Sequence, residues 1–446
     1  MAAMRMLFLS AQMPGHIDWG GLLLTAAELA RRGHDVLWAS GAEVERFVVD
    51  AGVGFHRLET TGWRWPPPPP LPPDEGLRPD ELHMLKQQRA LDQWLDVDRV
   101  AVATEEISKL VRAYKPDLMI SEMFVAAAGL VAELHDVPLA IAGWPAPNPQ
   151  ASGQNDSSKR MQMAPDVTQP DTMVTLARVR LQGLFDRFAV SGSNWTAFGP
   201  PALLSPILHL TFWSPSWFGG IAQPPTRHVG GVAPLGKPTP PTDLPSPEAC
   251  PWVLITLGTS FNRDPNFFIN AAHAAHRMGC LPLVVFGADL EADWVQEATD
   301  RLPKTAVVRK RLDFASTLPF VRVAIHHGGA GTTHALVVQG IPQLVIPHAA
   351  DQHRQANGVA RTGVGISISP QNASIDAIVA SLSVLLPDLS VYRRQAGELQ
   401  SEFRSLGGVP AAADLLESIP TTIPRLSALP FDPPRRTPTE DNRCKP

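Results

Sequence analysis

Three cysteines, Cys250, Cys280 and Cys444, are too few and too scattered for a disulfide framework or a zinc site. Long apolar runs are missing too. No stretch reaches the roughly 18 residues of a membrane span, and the best of them, Met119–Leu134, is interrupted by Glu122 and Glu133. Excess positive charge is absent: 38 Lys and Arg stand against 43 Asp and Glu. That excludes a basic field for sequence-independent binding of nucleic acid. The start of the chain passes directly into a strand pattern, Met6–Leu9, with no cleavable leader pattern. A reducing cytoplasm is therefore the expected location. No G-x-G-x-x-G follows this strand, which counts against a nicotinamide dehydrogenase.

Proline, in contrast, is plentiful and clustered, with 45 residues against a usual share of roughly 5%. Pro66–Pro73 is nearly continuous, and residues 145–172 read as a long polar loop. Pro234–Pro251 divides two halves that each alternate strand and helix patterns. In the first half these are strands Met6–Leu9, Asp35–Ala39 and Leu118–Ser121, with helical patterns Gly20–Arg32, Leu82–Tyr114 and Thr172–Phe188. In the second they are strands Trp252–Leu257, Leu281–Phe286, Thr305–Val308, Val321–Ile325 and Gln343–Ile346, with a helix at Pro265–Met278. Such alternation predicts parallel sheets with helices on both faces. The expected organisation is one domain over 1–232, a linker over 233–250, a second domain over 251–418 and a disordered tail over 419–446.

The densest chemistry lies between Ile325 and Gly365. A strand meets His326-His327 and the turn Gly328-Gly329-Ala330-Gly331, and a helical pattern begins at Thr332. A strand–glycine turn–helix start gathers free backbone N–H groups and the positive helix end at one point, which suits a phosphate. After the next strand, Asp351-Gln352 falls at the carboxyl edge of the sheet, where parallel α/β sheets bind ligands. Phosphate at one end and hydroxyl groups at the other suggest a nucleotide sugar. Gly258-Thr259-Ser260 offers a further phosphate loop after Trp252–Leu257. At the front of the chain His16 follows the first strand. An imidazole is the side chain best suited to take a proton at neutral pH.

This set resembles the donor signature of the family 1 glycosyltransferases, the UDP-glycosyltransferase superfamily. The family pattern H-x-G-x-x-[ST], G-[IV]-P, P-x-x-x-D-Q appears as His327 through Thr332, Gly340-Ile341-Pro342, and Pro347 through Asp351-Gln352. The resemblance implies a GT-B fold, two Rossmann-like domains facing across a cleft, with a helix near Ala411–Ser418 closing it. It implies transfer of a hexose from a UDP- or dTDP-sugar, with inversion and without a metal or other cofactor, to a lipophilic hydroxylated small molecule. His16, preceded by Gly15, takes the place of the catalytic base. Glu122, in Pro116-Asp117-Leu118-Met119-Ile120-Ser121-Glu122, takes the place of the family's Asp, which orients that base. Gly258, Thr259, Ser260, His327, Gly329, Gly331 and Thr332 would hold the diphosphate, and Asp351 and Gln352 the sugar.

Departures are also visible. Asp18-Trp19-Gly20-Gly21 stands where many relatives have proline, Ala335 where many have a ribose-binding Glu, and Gln355 where they have Asn. Asp96-Val97-Asp98 matches the short metal pattern of the other large glycosyltransferase fold, but it falls within a helical run and reads as a solvated face. Nine of the eleven tryptophans precede residue 220, so the first half is the aromatic one. Trp63, Trp65 and Trp144 flank its loops and are the expected acceptor wall. Two other readings fit the same motifs: a nucleotide-sugar epimerase on this fold, and a non-catalytic accessory protein of a glycosyltransferase.

Overall fold

The computed structural model describes residues 3–66, 68, 76, 78–146, 172–197, 200–220, 224–233, 239–258, 263–287, 290–348 and 352–419. The polar loop, most of Pro66–Pro73, part of the proline-rich linker and the C-terminal tail thus lie outside the described residues.

Two parallel sheets organise the chain. The first contains β1 (Arg5–Leu9), β2 (Asp35–Ser40), β3 (Gly54–Arg57), β4 (Leu118–Glu122), β5 (Leu139–Ala142), β6 (Leu208–Thr211) and β7 (Thr226–His228). The second contains β8 (Trp252–Thr256), β9 (Leu281–Val285), β10 (Val307–Arg309), β11 (Val321–His326), β12 (Gln343–Val345) and β13 (Gly365–Ser367). Their orders are β3-β2-β1-β4-β5-β6-β7 and β10-β9-β8-β11-β12-β13. The central strands are buried throughout, as in Trp252–Thr256 and Leu118–Glu122. Apolar and β-branched residues on both faces are what a sheet covered by helices on both sides demands. In each sheet the strand order reverses once, between β1 and β4 and between β8 and β11. Ligands of open α/β sheets bind at such reversals, beyond the carboxyl ends of the strands.

The helical pattern expected over Leu82–Tyr114 is two helices, Pro79–Trp94 and Val97–Tyr114. Leu95 leaves helical geometry, and the Asp96 side chain accepts the Arg99 amide at 3.0 Å. Asp96 is thus an N-cap, which satisfies an otherwise orphan donor of the second helix. The acidic pair reads as a helix start, not the middle of a helix face. In the signature, the helix runs over Ala330–Val338, two residues earlier than the pattern suggests.

The halves interlock at two places. The helix Gly408–Glu417, late in the chain, packs against Leu22–Arg31 of the first half. Arg32 reaches Asp414 at 2.6 Å and Glu417 at 2.8 Å. The second place is the short helix Pro215–Phe218, which leaves the first sheet and enters the core of the second half. Trp213 and Trp217 stack at 4.5 Å and are fully buried with Val337, Val345, Val359 and Phe403. Trp217 Nε1 donates to Gln355 Oε1 at 3.0 Å, and Arg361 donates to the Trp217 carbonyl at 2.6 Å. Gly358 lies so close that a Cβ there would stand 2.2 Å from the Trp217 ring. Gly358→Ala is expected to destabilise the protein by about 1–3 kcal/mol, the usual cost of overpacking. A urea midpoint equal to that of the parent would show that the helix and the indole are free to separate.

Candidate functional site

The first reversal carries His16 and Glu122. β1 ends at Leu9, and the chain then turns through the 3-10 helix Pro14–His16. Glu122 is the last residue of β4, the neighbour of β1, and is fully buried. Its Oε1 accepts the Ala11 amide at 3.2 Å and its Oε2 the Phe124 amide at 3.0 Å. Fixed by two backbone donors, the carboxylate stands 3.7 Å from His16 Nδ1. That separation exceeds a hydrogen bond, and Nδ1 makes none among the described residues. Active-site hydrogen bonds are often long without substrate and tighten with it.

Around His16 lies an aromatic chamber. Its ring centroid is 4.7 Å from that of Trp63, 5.4 Å from Phe124 and 5.5 Å from Trp19. Trp144 stands edge-on to Phe124 and Trp19, at 6.0 and 5.9 Å. Trp63 and Trp144 are thus brought together. Trp65 makes no ring contact with this cluster among the described residues. Phe124 and Trp19 belong to the chamber although no motif marks them. Their only sequence signal is adjacency, two residues after Glu122 and three after His16. Asp18 lies in the same loop, partly buried, and burial pushes its carboxyl up to about 6.

The second reversal carries the signature. β11 ends in His326, whose Nε2 donates to Gln343 Oε1 at 3.0 Å while Nδ1 accepts the Gly328 amide at 3.1 Å. That bond pattern assigns one neutral tautomer and makes His326 the brace of the turn. His327 points elsewhere, into a slot between Gly258 and Gly329. A Cβ on Gly329 would come within 2.4 Å of its ring, and one on Gly258 within 2.9 Å. Gly258 also has φ +71, so glycine is needed there twice over. Burial, with His326 and His348 nearby, pushes the His327 imidazole down to about 3. Beside it the first turn of Ala330–Val338 opens outward, with Gly331 exposed and Thr332 partly exposed. The first intrahelical bond is Thr333 N–H to Gly329 O at 2.9 Å, so the preceding amides face away from the helix without partners within it.

Gln352 begins the helix Gln352–Thr362 and is buried, its Oε1 accepting the His348 amide at 2.7 Å. His348 Nε2 in turn meets Asp264 Oδ2 at 3.1 Å. Thr259, Ser260 and Asp351 lie outside the described residues. The two reversals come together through the loop after His16. Gly20 abuts His334 of the signature helix so closely that a Cβ would stand 2.6 Å from its ring.

Comparison with known proteins agrees with the fold. Residues 288–415 match the model of the erythromycin biosynthesis protein CIII-like C-terminal domain. The elloramycin glycosyltransferase ElmGT of Streptomyces olivaceus is 26% identical over 328 residues, 71% of each chain. Among solved structures, the calicheamicin glycosyltransferase CalG4 superposes with a TM-score of 0.68 over 94% of this chain and 98% of that one, at 20% identity. The glycosyltransferase SsfS6 of Streptomyces sp. SF2575, solved with thymidine diphosphate, gives 0.63 over 93% and 100%, at 18% identity. The two-sheet architecture is GT-B, and the protein is a glycosyltransferase of the kind that modifies small molecules in secondary metabolism. These likenesses support a family 1 glycosyltransferase. Among the described residues, no helix is long and apolar enough to cross a membrane.

Proposed function

We propose that the protein moves a hexose, with inversion and without a metal or other cofactor, from a UDP- or dTDP-sugar to a hydroxyl of a lipophilic acceptor. The observation that carries this reading is the pairing of the two reversals. A histidine beside a buried carboxylate, inside an aromatic chamber, faces a half whose glycine turn, His327 and open helix start suit a diphosphate. The thymidine diphosphate held by SsfS6 supports a donor of that type.

In this mechanism His16 takes the proton of the acceptor hydroxyl while Glu122 orients the ring and offsets its charge. The freed oxygen attacks C1 of the sugar from the face opposite the diphosphate. A bond from that oxygen to C1 forms as the bond from C1 to the phosphate oxygen breaks. The transition state resembles an oxocarbenium ion. Charge developing on the diphosphate falls to Gly258, Thr259, Ser260, His327 and the Gly329–Thr332 amides. Preorganised donors of this sort usually supply the largest share of rate. The sugar hydroxyls are assigned to Asp351 and Gln352.

His327→Ala is expected to weaken binding of a nucleoside diphosphate by about 1.5–3 kcal/mol, the range for a hydrogen bond to a charged group. Isothermal titration with UDP and dTDP measures it. Unchanged affinity for both would remove the centre of the donor assignment. Transfer is also expected to continue in excess EDTA, because amides and an imidazole take the place of a cation. Loss of turnover in chelator, restored by manganese or magnesium, would count decisively against the metal-free reading.

A further inference from the structure

Arg354 is a cation that the mechanism above does not use. It stands in the first turn of Gln352–Thr362, in the donor half, yet its side chain crosses to the acceptor half. The guanidinium carbon lies 4.1 Å from the centroid of Trp144 and 5.3 Å from that of Phe218. Among the described residues no carboxylate pairs with it and no hydrogen bond engages it. Burial and the nearby Arg361 both press against its charge. A guanidinium flat on an aromatic face keeps its N–H edge free, and that edge matches a carboxylate with two parallel bonds. The rings join it to the base. Trp144 touches Phe124 and Trp19, and both of these touch His16.

We propose that Arg354 selects acceptors that carry an anionic oxygen, a carboxylate or an acidic enol, at the far end of a flat ring system whose hydroxyl reaches His16. The inference rests on the reading that the chamber around His16 receives the acceptor, and it names the acceptor's chemistry. A uronic acid sugar on the donor would present the same charge. The acceptor is preferred because Arg354 lies on Trp144 and Phe218, side chains of the first half.

The test measures binding without turnover. Calorimetric titration of the full chain with 2-naphthol and with 6-hydroxy-2-naphthoate gives the preference for the charged probe. The parent is expected to bind the naphthoate about 10–100-fold more tightly, the usual worth of a charge-assisted bond. In Arg354→Met that ratio collapses to near one, and in Arg354→Lys part of it returns. Equal affinities in the parent, no binding of the naphthoate, or a preference that survives in Arg354→Met overturns the proposal. In a second arm UDP-glucuronate and UDP-glucose are titrated into the same proteins. If Arg354→Met loses affinity for the glucuronate alone, the anion belongs to the sugar and the acceptor assignment falls. Failure of the glycosyltransfer reading shows differently, as no sugar transfer from either donor while the naphthoate preference persists.

Discussion

His16→Ala is expected to lower turnover about 10²–10⁴-fold, the usual contribution of a general base, and to leave donor affinity close to that of the parent. Binding and chemistry separate here because the two reversals belong to different sheets. Glu122 refines the test. Its carboxylate is fixed by the Ala11 and Phe124 amides at 3.2 and 3.0 Å, and His16 Nδ1 stands off at 3.7 Å. Glu122→Gln retains an acceptor for the imidazole N–H but cannot offset the imidazolium, so an intermediate loss is expected. Glu122→Asp restores the residue usual in the family, yet draws the carboxylate back from both amides and from the ring. It is expected to be as harmful as the glutamine. Profiles of kcat against pH with one acceptor decide the matter. An undiminished kcat in His16→Ala would take the histidine out of the mechanism, leaving Glu122 or the substrate itself to accept the proton.

The second large effect is on stability in mild acid. His209, His326 and His334 are pushed down to about 4 and His327 to about 3, chiefly by burial. Bonding reinforces this at two of them. His209 Nε2 accepts the Ser205 amide and His326 Nδ1 the Gly328 amide, so a proton on either nitrogen would face a donor. The folded state therefore holds these rings neutral, while the unfolded chain takes up protons near pH 6.5. Stability is fully present above that pH and is lost as pH falls toward 4. Between pH 6.5 and 4.5 each ring contributes on the order of 2–3 kcal/mol, at about 1.4 kcal/mol per pH unit. Four together approach the whole stability of a typical protein, about 5–15 kcal/mol. Asp18 acts with the opposite sign. Its carboxyl, raised to about 6, costs stability when ionised and returns it as pH falls. One such group cannot balance four. Urea midpoints are expected to fall steeply between pH 6.5 and 4.5, and a flat profile over that range would show that these rings titrate freely in the folded protein.

The parts of the site legible in the sequence are those whose chemistry is local. A glycine turn between a strand and a helix start announces itself, because the residues that build it are neighbours in the chain. Glu122 is reachable only through the resemblance, as the residue that takes the place of the family's Asp. The chamber was only half legible. Trp63 and Trp144 stood out beside loops, whereas Trp19 and Phe124 became recognisable only once β1 and β4 were paired. The break at Leu95 is hidden because leucine continues an apolar helical pattern, and the capping role of Asp96 is hidden with it, because an unbroken pattern places Asp96 inside a helical run. Arg354 and Gln355 were the least accessible. Each faces the other half of the molecule, and periodicity within one helix carries no information about a surface some 140–210 positions away.

Gln355 and Gly358 also determine where this enzyme can be cut and recombined. Trp213 and Trp217 belong by sequence to the acceptor half but fill a socket in the donor half. A chimera joined after residue 232 would bring its own plug to a foreign socket. Grafting a new donor half onto this acceptor half would therefore require glycine and a hydrogen-bonding amide at the positions of Gly358 and Gln355. Without them the hybrid would carry two exposed indoles on one piece and an unfilled hollow in the other, whatever the quality of its sugar site.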